Sequence, residues 1–354
     1  MGGGNFLEPA FAMDATPDLH EAARSGQLTT LPPEAFSHER LSARNAAGNT
    51  PLHAIAKYGG LRLLPAGLLA AATLSLRNDS GYTPLHHAAL GGHLDEVPAE
   101  FLTAALLNLS SNSGYTVFHV AAASGHLDQL PAALVTPAVV LAPTHLGNTL
   151  LHEAAENGTL DRLPAQFLTP ANLLSRNLGG ETVLHVAAFN GHLDQVPREL
   201  VTAAALRETT RAGDTVFHAA AISGHLGQIP AGFLTHDHLI LACKAGFTVI
   251  HAAAENGQLA RIPRAQLTPD LLLTRNDNGD TPLHAAAYEG HLEQLPAELF
   301  TADLLNVRNY DGVSVGRLAI SRGFARQLPP ALRPKPPGPV TRLLVRLGFV
   351  RRPR

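Results

Sequence analysis

The chain has 354 residues, of which 45% are hydrophobic, and a formal net charge of −3. Its single cysteine, Cys243, excludes an intramolecular disulfide framework and a metal site built from several cysteines. No apolar run of about 18 residues occurs, so we expect no membrane-spanning helix.

The N-terminal residues 1–16 contain neither a basic start nor a long apolar run. We therefore expect no signal peptide there, and we interpret this stretch as a flexible lead-in. Together with the cysteine content, this favours a cytoplasmic location, with export by a signal-independent route left as an alternative.

A period of 33 residues organises the chain from residue 17 onwards. Threonine recurs at positions 50, 83, 116, 149, 182, 215, 248 and 281, and histidine follows three residues later, with a further copy at position 20. Proline recurs from position 32 to position 329 without a gap. A fixed period with no insertion predicts a solenoid in which each unit contacts only its neighbours.

Each period contains signals for several short helices. Thr83 is suited to cap a helix, Pro84 to occupy its first position and Gly92 to end it. A helix that continued through Pro98 would lose about 3 kcal/mol, so we expect Pro98 to open a new short helix. Thr103 then predicts the start of a further helical turn.

The order Thr-Pro-Leu-His, two alanines and then Gly-His-Leu, at this period, resembles the ankyrin repeat over roughly residues 16–330. The resemblance implies an all-α, ankyrin-type α-solenoid of about ten 33-residue repeats with short turn or hairpin fingers. It implies that the motif histidine hydrogen-bonds backbone groups between fingers, and that a protein partner binds the concave face formed by the fingers and first helices. The recurring proline departs from the family pattern and predicts a second helix broken in two.

We therefore divide the chain into a lead-in (1–16), a repeat array (17–332) and a tail (333–354). The tail holds seven of the 26 basic residues and no acid, so the rest carries 19 basic against 29 acidic residues. A net charge of about −10 on the array argues against nucleic-acid binding there. The tail is Pro-rich and then amphipathic. It is interpreted as frayed or folded back on the array, with weak membrane contact as the alternative.

The 19 histidines invite a metal or catalytic hypothesis. The motif histidines lie about one helix spacing apart, ~8–10 Å, whereas zinc ligands converge within about 2 Å of one ion. His236 and His238 are the pair that remains open as metal ligands. No catalytic motif stands out, so we expect no enzyme, no cofactor and no metal, and we interpret Cys243 as a turn thiol.

Aromatic residues occupy positions that the repeat leaves variable, and aromatic residues are favoured anchors of interfaces. Acidic residues surround them, including Glu153, and favour a basic or mixed-charge partner. Our candidate partner-binding residues are Tyr58, Tyr82, Tyr115, Glu156, Phe189, Phe247, Glu255, Tyr288 and Tyr310. Aromatics directly before a motif threonine have the equal alternative of packing between fingers.

These patterns predict a monomeric, non-catalytic scaffold that binds another protein, and they do not identify that protein. The second hypothesis is a membrane-associated adaptor that uses the basic tail. The third, an enzyme or metal protein, requires histidines or carboxylates that converge in the folded chain.

Overall fold

A computed structural model describes residues 18–333. Between these residues the chain forms α-helices and 3-10 helices without a β-strand, which confirms the predicted all-α architecture. Four isolated antiparallel bridges lie at the bases of fingers, as between Thr209 and Thr215. The chain divides into two compact units, residues 1–163 (unit 1) and 164–354 (unit 2). The predicted lead-in and almost all of the predicted tail lie outside the described residues.

Unit 1 repeats one long helix followed by shorter helical segments. Its long helices are Leu19–Arg24, Pro51–Tyr58, Pro84–Gly91, Val117–Ser124 and Leu150–Asn157, and each packs against the next. Its short α-helices are His38–Ser42, Ala71–Leu74, Ala104–Leu107 and Pro137–Val140. Its 3-10 helices are Gln27–Thr30, Pro33–Ala35, Leu61–Leu63, Leu94–Glu96, Ala99–Phe101, Leu127–Gln129, Ala132–Leu134 and Leu160–Arg162.

Unit 2 has the same organisation. Its long helices are Val183–Asn190, Val216–Ile222, Val249–Glu255, Pro282–Glu289 and Val315–Ser321. Its short α-helices are Pro170–Leu173, Ala203–Leu206, His236–Leu239, Pro269–Leu272 and Ala302–Asn306. Its 3-10 helices are Ala165–Phe167, Leu193–Gln195, Arg198–Leu200, Leu226–Gln228, Ala231–Phe233, Leu259–Arg261, Arg264–Gln266, Leu292–Gln294, Ala297–Leu299, Ala325–Gln327 and Pro330–Leu332.

The long helix begins and ends where its sequence predicts. In Pro84–Gly91, Thr83 and His86 form a reciprocal cap, and Gly92 ends the helix in the left-handed region at φ +75°. Leu85, Ala88 and Ala89 are fully buried. The two alanines are small enough to let neighbouring long helices approach closely, so the core of each unit lies along these helices.

The recurring proline interrupts the second half of each repeat, as predicted, and the short helix that follows it is a 3-10 helix. Pro98 has an extended conformation (φ −55°, ψ 136°) and precedes a 3-10 turn, Ala99–Phe101. The Thr103 hydroxyl then accepts from the Leu106 N–H at 3.4 Å and caps Ala104–Leu107. The short helix predicted from Pro98 to Leu102 is therefore present as the 3-10 helix Ala99–Phe101, with Pro98 as its N-cap residue.

The motif histidines connect consecutive repeats. His86 Nδ1 accepts from the Thr83 N–H at 3.1 Å, and its Nε2 donates to the Tyr115 carbonyl at 3.0 Å. Equivalent Nε2 bonds, between 3.0 and 3.2 Å, join His20 to Asn49, His53 to Tyr82, His119 to Ala142, His185 to Asp214, His218 to Phe247, His251 to Asp280 and His284 to Val313. The predicted role of these histidines between fingers is confirmed.

Each finger is a tight turn that holds the residue before the next cap threonine. In the finger before Thr83, the Asn78 side-chain oxygen accepts from the Ser80 and Tyr82 N–H groups. Gly81 has φ +81°, and a Cβ there would lie 2.7 Å from the Asn112 backbone nitrogen of the next finger. Only glycine allows this conformation and this approach between fingers.

Candidate functional site

We define the finger face as the surface formed by the residues before each cap threonine and by the fourth and seventh residues of the following long helix. The fourth and seventh residues share one side of a helix because they are three positions apart. Three open grooves of different volume lie on this face, two in unit 2 and one in unit 1.

The largest of these grooves has a volume of about 510 Å³ and lies wholly in unit 2. We call it the Phe247 groove. Its lining includes Phe247, Glu255, Asp280, Ala285, Tyr288 and Cys243. Three of the predicted partner-binding residues, Phe247, Glu255 and Tyr288, therefore lie together although 41 positions separate the first from the last.

The repeat geometry places each of these side chains. Phe247 directly precedes the cap residue Thr248, and its ring lies 5.3 Å from the ring of His251. Glu255 is the seventh residue of its long helix, and Tyr288 is the seventh residue of the next one. Ala285, the fourth residue of that next helix, also lines the groove, and its small side chain leaves volume that a longer one would occupy.

The charge in the Phe247 groove is negative. Glu255 and Asp280 line it, and no lysine or arginine does. Asp280 Oδ1 accepts from Asn309 Nδ2 at 2.8 Å, and neither carboxylate forms an ion pair with a described residue. Burial, with a smaller contribution from nearby Glu289, raises the pKa of Glu255. This carboxylate thus lacks the cation that would stabilise its charge.

The two histidines that line this groove, His251 and His284, use both ring nitrogens in hydrogen bonds with the backbone. His251 and His284 each accept at Nδ1 from a backbone N–H and donate at Nε2 to a carbonyl. Burial lowers the pKa of both rings. They are therefore neutral near pH 7 and leave the carboxylates as the charged groups of the groove.

Tyr288 also contacts a cation outside the groove lining. The guanidinium carbon of Arg322 lies 3.8 Å from the centre of its ring, and Arg322 Nε donates to the Tyr288 carbonyl at 3.2 Å. This is a cation–π contact within the last described repeats. Tyr310, by contrast, lies at a finger tip with 72% of its surface exposed, 5.8 Å from the Arg275 guanidinium.

A second groove in unit 2, of about 430 Å³, contains the predicted residue Phe189. Ile222 and Ala219 line it together with Glu181 and Asp214. Arg211 also lines this groove, so its charge is mixed where that of the Phe247 groove is negative.

A third groove, of about 250 Å³, lies in unit 1 and contains Tyr58. The Lys57 ammonium lies 5.1 Å from the centre of the Tyr58 ring. Glu21 and Arg24 at its edge form an ion pair at 2.7 Å. Its charges are therefore already paired or balanced within the unit.

The three grooves share a feature that our sequence reasoning missed. In each, the fourth residue of a lining long helix is alanine, namely Ala54, Ala219 and Ala285. At this position other long helices carry His87, Val120, Glu153 or Val186, and one carries Ala252, which lines none of the three grooves. The size of this residue was readable from the sequence, and a small residue there accompanies these grooves without being sufficient to form one.

The remaining predicted residues lie outside these grooves. Tyr82 packs edge-on against His86 at 5.2 Å, and Glu156 is exposed. Tyr115 is half-buried, and its hydroxyl hydrogen-bonds Glu153. Burial, then Glu153, raises the pKa of Tyr115.

Glu153 corrects our expectation of an exposed acidic surface. It is 97% buried, since only 3% of its surface is exposed, and it also accepts from Asn148 Nδ2 at 3.0 Å. Burial raises its pKa, and its hydrogen bonds to Asn148 and Tyr115 oppose that rise. Tyr115 and Glu153 form an internal contact.

The pair His236 and His238 does not converge on a shared point with other ligands. His238 Nδ1 bonds the Phe233 carbonyl at 2.7 Å, and its ring stacks on Phe217 at 4.9 Å. Across residues 18–333 no three histidine, cysteine or acidic side chains are grouped to hold a metal. In the same range, every helix is too short or too polar to cross a membrane.

Comparison with known families was made on the whole chain. A family model described as "Ankyrin repeats (3 copies)" matches residues 19–99, 62–134 and 151–231. A second, described as "Ankyrin repeat", matches residues 278–309. Among curated protein sequences, none matches the chain significantly.

Proposed function

The chain belongs to the ankyrin-repeat family, and from this premise we propose that it is a non-catalytic scaffold that binds another protein on its finger face. Ankyrin repeats indicate a protein–protein interaction domain. The residues that repeat in this chain connect one repeat to the next, so recognition falls to the positions that vary.

One observation carries this proposal. The Phe247 groove combines an open volume with an aromatic residue, Tyr288, that leaves 45% of its surface exposed. In the second groove Phe189 leaves 51% of its surface exposed. Exposed aromatic residues in a groove that carboxylates also line are typical anchors of an interface. Together they offer a partner both apolar area and directed polar contacts.

The proposal of a non-catalytic role rests on how the reactive groups are used. In His53 and His86 both ring nitrogens form hydrogen bonds, Nδ1 within the repeat and Nε2 to the next finger, and burial lowers their pKa to about 4. A ring with both nitrogens engaged and such a pKa is poorly suited to transfer protons near pH 7.

The experiment is partner capture followed by a test of the face. The full chain serves as bait, and the captured protein is titrated against two alanine variants of the finger face, Phe189→Ala and Tyr288→Ala. We expect each to weaken binding about ten-fold or more. Leu141→Ala and Leu273→Ala are matched controls, since both leucines are about 40% exposed and follow short helices. Equal losses from both sets of variants, or none, would remove the finger face from the proposal.

We further propose that the scaffold acts as a monomer in the cytoplasm. A thiol that is half-exposed at Cys243 is compatible with a reducing compartment. Sedimentation equilibrium measures the oligomeric state, and a dimer across the micromolar range would contradict the proposed monomer.

The second candidate function, a membrane-associated adaptor, draws support from the sequence after residue 332. Seven basic residues and no acid occur there, together with leucines at 343, 344 and 347. Such a segment binds anionic lipid through charge and apolar burial. Vesicles that contain phosphatidylserine should then retain the full chain at low salt, and the double variant Arg342→Gln, Arg346→Gln should bind less. Absence of retention removes this candidate.

A further inference from the structure

We propose that the Phe247 groove seats the side chain of an arginine from an extended segment of the partner, between Tyr288 and Phe247 and against the carboxylates of Glu255 and Asp280. This inference deepens the proposed function and rests on it, because it names the chemistry of the partner at one place on the finger face.

The charge of the Phe247 groove is complementary to a cation. Two carboxylates line the groove, no cation lines it, and no ion pair with a described residue neutralises either of them. The other two grooves include Arg211 or Lys57 and Arg24 in their linings. Of the three, the Phe247 groove is therefore the one that is lined by two carboxylates and no cation, whereas Arg211 offsets one of the two carboxylates in the second groove.

The shape of the groove also favours a planar cation. Phe247 and Tyr288 add aromatic surface to a lining that contains both carboxylates, and Ala285, which also lines the groove, takes up little volume. A guanidinium is planar, stacks on aromatic faces and donates to two carboxylates in a fixed geometry, whereas a lysine ammonium is compact and more strongly hydrated. The combination of rings and carboxylates therefore favours arginine over lysine.

The chain itself supplies an example of the contact. Arg322 already stacks on the Tyr288 ring at 3.8 Å. This shows that the Tyr288 ring, at this position of the repeat, accepts a guanidinium. The proposed arginine adds carboxylate contacts that Arg322 does not make, because neither Glu255 nor Asp280 pairs with it.

The test uses Cys243 as a reporter. It is the single cysteine of the chain and lines the groove, so the rate of its modification by a chromogenic disulfide reagent reports groove occupancy. The probes are two capped heptapeptides of glycine and serine with either arginine or citrulline at the centre. Citrulline has nearly the same shape and no charge. We expect the arginine peptide to halve the modification rate at about ten-fold lower concentration than the citrulline peptide.

Matched variants locate the effect. Glu255→Gln with Asp280→Asn should abolish the preference for arginine. Glu156→Gln should preserve it, because Glu156 occupies the same helix position as Glu255 in another repeat and does not line this groove. Should the double variant fold poorly, the comparison of the two peptides on the unchanged chain decides by itself.

Equal effects of the two peptides, or no protection of Cys243 at millimolar arginine peptide, would overturn the inference. The inference would also be overturned if the double variant Arg342→Gln, Arg346→Gln accelerated Cys243 modification in the absence of peptide. That result would show that the chain's own basic tail occupies the groove. A captured partner that needs Phe189 and Tyr288 but tolerates Glu255→Gln with Asp280→Asn would sink this inference and leave the proposed function standing. Failure of the alanine variants of the finger face would instead count against the function.

Discussion

Tyr115 in unit 1 and Phe247 in unit 2 occupy the same position, directly before a cap threonine, yet their surroundings differ. The long helix of the repeat that follows Tyr115's own, Leu150–Asn157, carries Glu153 as its fourth residue, and this buried carboxylate hydrogen-bonds the tyrosine. The long helix of the repeat that follows Phe247's own, Pro282–Glu289, carries Ala285 there, and a groove remains. An aromatic residue on the finger face is thus used internally or left for a partner according to the size of one residue in the following repeat.

The largest difference that we expect between the units is in how much stability each loses at low pH. Burial lowers the pKa of His53 and His86 from about 6.5 to about 4, and that of His87 to about 3. Because the folded pKa lies below the unfolded one, stability is complete above about pH 6.5 and declines as pH falls towards 4. Each such histidine accounts for on the order of 3 kcal/mol across this window.

Hydrogen exchange at pH about 7.5 and about 5 measures this loss in each unit separately. We expect protection to fall further in unit 1, since His87 Nδ1 also has no hydrogen-bond partner among the described residues. Protection that is unchanged between these values would contradict the assignment of neutral, buried histidines.

Two glutamates provide a comparison by mutation. Glu153→Ala removes the partner of Tyr115 and Asn148, so we expect a loss of about 1–3 kcal/mol in the free energy of unfolding. Glu255→Ala removes a carboxylate that has no hydrogen-bond donor among the described side chains, and we expect a change within about 0.5 kcal/mol. Urea unfolding of both variants checks the pair, and equal losses would show that the two sites do not differ as the structure indicates.

Filling the space should convert the open site into a closed one. Ala285→Leu places four carbons where one stands, so we expect the arginine peptide to bind about ten-fold more weakly while circular dichroism stays unchanged. Ala219→Leu fills the second groove and serves as the control. Were both variants to weaken the arginine peptide alike, binding would not depend on the Phe247 groove.

The smallest expected effect is a dependence of affinity on pH. Burial and Glu289 raise the pKa of Glu255, and a bound arginine would lower it again. Binding therefore releases a proton, and affinity falls by a few fold as pH falls through the raised pKa. Calorimetry in two buffers of different ionisation enthalpy detects that proton. Its absence would argue against contact between the arginine and Glu255.

Much of the fold was predictable because every repeat carries the same local signals. Thr83, Pro84 and Gly92 mark a helix that begins and ends where they predict, and the resemblance to ankyrin repeats implied the histidine bond to the next finger. The short helix expected from Pro98 is also present, and only its 3-10 geometry was not predicted. We predicted separately that Phe247, Glu255 and Tyr288 bind a partner, and we did not predict that the three line one groove.

By itself the sequence determined the period and the helix boundaries, since these follow from caps, prolines and glycines that act within a few residues, and its resemblance to ankyrin repeats implied the histidine bonds that join repeat to repeat. Only the tertiary structure decided that Glu153 lies buried against Tyr115 and that Phe247 faces open space beside Ala285. Those outcomes depend on which side chains of adjacent repeats meet and how much volume they leave, and a pattern read along one repeat does not contain that volume.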